Sequence, residues 1–108
     1  MIPKTPENYR LLATHIFETR MDDFFPCYER FTPEEKEHII GIAASVMMDR
    51  DRVMMGGGFA NAIVNNDLFG AFSRADSTIV KAIRFMVYVM NYVRIESNHS
   101  IFEEIETN

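Results

Sequence analysis

The feature that most constrains this chain is the apolar run from Ile79 to Ile95. Ile79, Val80, Ile83, Phe85, Met86, Val87, Val89, Met90, Tyr92 and Val93 fill it, while Lys81, Arg84, Tyr88 and Asn91 fall at i, i+3, i+7 and i+10. That polar spacing has a helical period, so the run predicts a helix, although its valines and aromatics would also suit a β-strand. A helix apolar over most of its circumference wants neighbours on most sides, which places this one at the centre of the fold. Lys81, Arg84 and Arg94 within the run argue against a membrane span.

The neighbours can be read from their start and stop signals. Thr5-Pro6-Glu7 opens a first helix, with Thr as N-cap and Pro at the first helical position. Tyr9, Leu12, Ala13, Ile16, Phe17 and Met21 form its apolar face, and Pro26 ends it a few residues upstream. Asp22 to Phe31 reads as an aromatic loop closing one end of the core. Thr32-Pro33-Glu34-Glu35 is a capping box, opening a second helix that stops near Asp49 to Arg52. A third helix begins at about Gly58 and carries Phe59, Ala62, Ile63, Leu68, Ala71 and Phe72. Gly70 inside it costs about 1 kcal/mol relative to alanine, which a close helix crossing would explain. Asp76 or Ser77 caps the central fourth helix, and Ser100 with Glu103 caps a short last one. The expected fold is one all-α domain over residues 1–108, with four main helices and a short C-terminal helix.

Charge and cysteine content narrow the partners. The formal charge is −5 and the basic residues are scattered, which argues against duplex nucleic acid. The acids thicken only at Glu103, Glu104 and Glu106, where a solvated tail is the simple reading. Cys27 is the single cysteine, so no internal disulfide forms. MIPKTPENYR lacks a signal-peptide pattern, and a cytoplasmic location is expected.

The strongest candidate for a ligand site is Gly56-Gly57-Gly58 followed by Phe59. Free N–H groups at the start of a helix favour anions, and glycines let a ligand approach the backbone, with positive φ open to them. No Lys-Ser/Thr follows and G-x-G-x-x-G is absent, which excludes a P-loop and a dinucleotide fingerprint. A plain turn between helices accounts for the same glycines more simply. Asn66-Asp67 falls within the expected third helix, where both residues are unusual. The pair can hold a ligand or a partner's backbone; more simply, Asp67 pairs with Arg84 and Asn66 caps a loop. Asn61 and Asn65 read as solvent-facing.

Other patterns carry less. Glu35 and His38 have E-x-x-H spacing, but a di-metal site needs a second copy and two more carboxylates. His15 and His99 lack ligand-spaced company, and Cys27 lacks a histidine or asparagine partner. No acid, base and nucleophile occur together, so no enzyme, cofactor or metal site is expected. At least one methionine of each pair, Met47-Met48 and Met54-Met55, is expected in the core.

Gly57-Gly58-Phe59, Ala62-Ile63, Asn66-Asp67-Leu68, Ala71 and Arg74-Ala75-Asp76 together resemble a family of small proteins encoded by tailed phages and prophages. That family reads roughly G-x-F, A-V, N-D-L, A and A-D over one helix and its exit. The resemblance spans Met54 to Val93, and it departs at Ile79, where the family often has asparagine. It implies a phage source and a function in infected host cytoplasm, without implying a reaction. The expected function is a non-enzymatic binding protein, sequestering a phosphorylated or nucleotide signal of host defence at Gly56, Gly57, Gly58, Phe59, Asn66 and Asp67. The alternatives are a protein–protein inhibitor of a host system and a structural helical protein without a ligand. A homo-oligomer is expected to cover the open part of the fourth helix.

Overall fold

The computed structural model describes residues 2–25 and 30–107, with side chains described to Glu104. Cys27 and the Tyr28 part of the aromatic loop lie outside the described residues. Among those described, all regular structure is helical and there is no strand. The run from Ile79 is helical, as its polar stripe requires.

Helix α1, Pro6–Thr19, starts as expected, with Thr5 Oγ1 accepting from the Asn8 N–H at 3.2 Å. It buries Tyr9, Leu12, Ala13, Ile16 and Phe17. The aromatic segment begins differently from expectation. Met21–Phe24 forms a short helix, α2, whose first turn carries Asp22 and Asp23. Acids at that end suit the helix dipole, and Arg20 Nε holds Asp23 at 2.7 Å. The aromatics still close one end of the core. Phe25 packs tilted at 5.5 Å from Phe17 and edge-on at 5.1 Å from Phe31, and Phe24 lies 5.7 Å from Phe85.

Helix α3, Pro33–Arg50, carries the full capping box: Glu35 N–H to Thr32 Oγ1 at 3.1 Å, and Thr32 N–H to Glu35 Oε1 at 2.9 Å. Its N-cap hydrogen bond from the Thr32 backbone holds the Glu35 carboxyl below its usual range, against a smaller opposing effect of burial.

The expected third helix is two. Helix α4 is Gly58–Val64 and helix α5 is Leu68–Arg74. Asn66 sits at φ 59°, a left-handed conformation that asparagine tolerates better than most residues. Asp67 caps α5, accepting from the Gly70 N–H at 2.9 Å, so it does not take the role of a mid-helix partner for Arg84. The helix breaks here because asparagine and aspartate side chains compete for backbone groups. Gly70 has a different cause from the one expected. A Cβ there would run into the Asp67 carboxylate and lie 2.9 Å from Arg74 Nη1, so the glycine makes room for the cap.

The last apolar run also contains a joint. Asp76 caps α6, Ser77–Lys81, through the Ile79 N–H at 2.8 Å. Ala82 donates to Ile79 O in a tighter turn, and α7 then runs Ile83–Tyr92. A 3-10 turn, Ile95–Ser97, leads to α8, His99–Thr107, which starts one residue ahead of the expected Ser100 cap. Phe85, Met86 and Val89 of α7 are wholly buried, and α3 packs against α1, α4, α6 and α7. The two helices share the centre of the core.

Met47 and Met48 are buried, as expected. Met54 and Met55 are both exposed, Met55 at 88 %, which corrects the expectation for that pair. Arg52 at φ 61° turns the chain outward just before them.

A polar knot ties three helices together where the DRDR stretch begins to break the apolar pattern. Arg50 Nε and Nη2 hold Asp51 at 2.8 and 3.0 Å, and Tyr9 of α1 donates its hydroxyl to Asp51 Oδ2 at 2.8 Å. Arg50 Nη1 donates to the carbonyls of Val89, Met90 and Val93 at 2.8, 3.1 and 2.7 Å. It thereby satisfies the open end of α7. Burial pushes the Asp51 carboxyl up, but hydrogen bonds from Arg50 and Tyr9, with Arg50's charge, bring it below its usual range. Burial, then the hydrogen bond to Asp51 and its charge, push the Tyr9 phenol well up.

Candidate functional site

A cleft of about 250 Å³ opens between α3, the start of α4 and the α5–α6 junction. One wall is the face of α3 bearing His38, Ile42 and Ser45, which helical spacing aligns at i, i+4 and i+7. The opposite wall is the backbone of Gly57 and Gly58. Arg74, the last residue of α5, and Asp76 close the mouth.

The three glycines have three different surroundings. Gly56 donates its N–H to Asp49 Oδ2 at 3.2 Å, so that group is already occupied. A Cβ on Gly56 would stand 2.6 Å from the Ala60 Cβ, which makes this position a packing requirement. Gly57 is the N-cap of α4, at φ −72° and ψ −174°, and a Cβ there would meet nothing within 4 Å. Gly58 lies under Arg74: a Cβ would be 2.7 Å from Arg74 Cδ and 2.9 Å from Nε. None of the glycines has positive φ, so the turn does not use the left-handed conformation open to them.

Arg74 Nη1 makes one long hydrogen bond, 3.4 Å, to Gly70 O. Among the described residues it forms no ion pair, and neither Gly57 nor Gly58 has a hydrogen-bond partner for its N–H. Asp76 is committed elsewhere. One oxygen accepts from the Ile79 N–H, and the other meets His38 Nε2 at 2.7 Å. The Ile79 hydrogen bond holds its carboxyl below the usual range; burial opposes this and His38 adds to it. Thr78 donates to Glu35 Oε2 at 3.2 Å, a second tie between α3 and α6.

The sequence-derived candidates therefore divide. Gly57, Gly58 and Phe59 line the cleft with His38 and Arg74, while Gly56 is held by Asp49. Asn66 and Asp67 border a separate apolar groove, also about 250 Å³, formed by α4, α5 and α7. Asn61 and Asn65 are exposed and bond to each other, with Asn65 Nδ2 3.1 Å from Asn61 Oδ1. Reading the sequence missed Arg74 and the role of His38. The Arg of Arg74-Ala75-Asp76 lay inside the motif already quoted, but nothing in its spacing points toward Gly58.

Among the described residues, no three His, Cys, Asp or Glu side chains converge to hold a metal ion, and no helix is long and apolar enough to cross a membrane. Comparison with protein-family models, with curated proteins and with solved structures gives no match.

Proposed function

We propose that this is a non-enzymatic binding protein that holds a small phosphorylated ligand in the cleft beside Gly58. The observation that carries the reading is Arg74, laid across Gly58 without an ion pair among the described residues and facing a cleft that His38 also lines. A guanidinium presents paired donors that match phosphate oxygens, and the Gly57 and Gly58 N–H groups add backbone donors beside it. The cleft, about 250 Å³, falls below the ~300–1,000 Å³ of typical small-molecule sites. It would enclose a phosphate and the group next to it, leaving the rest of a nucleotide outside. With the phage resemblance, the class to test first is a nucleotide signal of host defence, bound in the cytoplasm of an infected cell.

Calorimetric titration with inorganic phosphate, nucleoside monophosphates and cyclic nucleotides tests this. One of them should bind, and Arg74→Ala should weaken it roughly tenfold to a hundredfold, the scale of a charge-assisted hydrogen bond. No heat with any of them overturns the reading. A second reading, inhibition of a host protein, draws on Val53, Met54 and Met55, three consecutive exposed apolar residues at the turn before α4. Methionine side chains adapt to varied partners, which suits that use.

A further inference from the structure

The face built by α5 and α7 carries both an apolar knob and an apolar hole. Phe69 is 87 % exposed, with Leu68 at 62 % and Phe72 at 48 % beside it. Next to them lies the groove of about 250 Å³ lined by Leu68, Ala71, Ile83, Val87 and Met90, which nothing in the described chain fills. A two-fold interface sets one patch against itself, so it needs knob and hole on the same face. With aromatic side chains at about 200 Å² each, Phe69, Phe72, Leu68, Val87 and the half-buried Ile83 and Met90 offer roughly 400 Å² of apolar surface. At the ~60 % apolar share of an interface, that corresponds to roughly 650 Å² per partner, within the range of a stable dimer.

Charge points to the same occupant. A chain of net charge −5 repels its own copies wherever acids face each other. Asp67 borders the groove, and Arg84, one helical turn before the groove-lining Val87, makes no ion pair among the described residues. A two-fold axis that passes between the two sets the acid of each copy against the base of the other. We infer that α5 and α7 form the contact surface of a two-fold homodimer, in which Phe69 of each copy packs into the apolar groove of the other.

Light scattering and sedimentation over a concentration series test the inference. The wild type should show twice the 12.5 kDa chain mass. Phe69→Asp should weaken the dimer roughly thirtyfold or more, the scale of a central interface aromatic, while its circular dichroism and melting stay those of the folded chain. Arg84→Glu, which sets two acids together, should weaken it about tenfold, and less so as salt is raised. A wild type that stays at 12.5 kDa at high concentration overturns the inference, as does a larger closed oligomer. So does a dimer that Phe69→Asp leaves intact.

Discussion

Arg50 and Arg74 occupy the same position in their helices, each the last residue, and each is followed within two residues by an aspartate. Their surroundings are opposite. Arg50 Nε, Nη1 and Nη2 all donate, two to Asp51 and Nη1 to three carbonyls at the end of α7. Arg74 keeps a single 3.4 Å contact to a carbonyl of its own helix, because Asp76 has turned to the Ile79 N–H and to His38. A guanidinium whose donors are used up holds a fold together. One whose donors are left over beside bare backbone has capacity for something else. The contrast separates a structural arginine from a candidate ligand-binding one.

The largest effect that would break this comparison is in stability. Arg50→Ala leaves Asp51 with the Tyr9 hydroxyl but no cation, and takes a donor from three carbonyls, of which Val89 O keeps the Val93 N–H, at a pair whose side chains are only 10 % and 12 % exposed. It should cost about 3–5 kcal/mol, the scale of halving a buried ion pair, read from urea unfolding. Arg74→Ala, at an exposed site, should change stability by about 0.5 kcal/mol or less. Equal losses for the two variants would erase the distinction.

A pH series sharpens it further, because the knot titrates at both ends. The Asp51 carboxyl lies below its unfolded value of about 3.9. Its contribution is therefore whole above that value and is lost as pH falls through the lower folded one. The Tyr9 phenol lies above its unfolded value of about 10, so its contribution is whole below pH 10 and is lost as pH rises past it. Wild-type unfolding free energy should fall at both extremes. Tyr9→Phe, which removes one hydrogen bond to a charged group, should cost about 1.5–3 kcal/mol at neutral pH and flatten the alkaline limb. An alkaline limb unchanged in Tyr9→Phe would place that titration on another residue.

What could be read from the sequence follows how local the cause is. Thr32 to Glu35 announces α3 because both halves of its capping box lie within four residues. The polar stripe Lys81, Arg84, Tyr88 and Asn91 separates helix from strand because its period is local, and for the same reason it runs across the joint at Ala82 without showing it. The break at Asn66 was missed because the apolar spacing from Phe59 to Phe72 continues across it, while the backbone bonding of Asp67 decides the matter. Asp49 to Arg52 read only as the end of an apolar pattern. That Arg50 would reach the end of α7 depends on residues 39 to 43 positions away, which no local spacing encodes. The glycine turn was legible as a place of close approach. Which glycine is approached, and by what, required knowing that α5 folds back to lay Arg74 on Gly58.

Small stability effects are expected at Gly57 and Gly58, and these two glycines test the open arginine most directly. If Arg74 holds the ligand, the glycine that matters is the one beneath it. Gly58→Ala places a methyl group 2.7 Å from Arg74 Cδ, and the flexible side chain must swing away from the cleft. Helix propensity favours alanine over glycine by up to about 1 kcal/mol, so the fold should lose little or gain slightly. Binding of a phosphorylated ligand should nonetheless fall about tenfold, the scale of one misplaced charge-assisted hydrogen bond. Gly57→Ala points its methyl group into open space at an ordinary backbone conformation, and both stability and binding should stay near wild type. Gly56→Ala is the stability control: its methyl group meets Ala60, and overpacking of that kind costs roughly 1–3 kcal/mol. If binding instead follows Gly57 and ignores Gly58, the ligand rests on the bare backbone, and Arg74 loses the role its unused donors suggest.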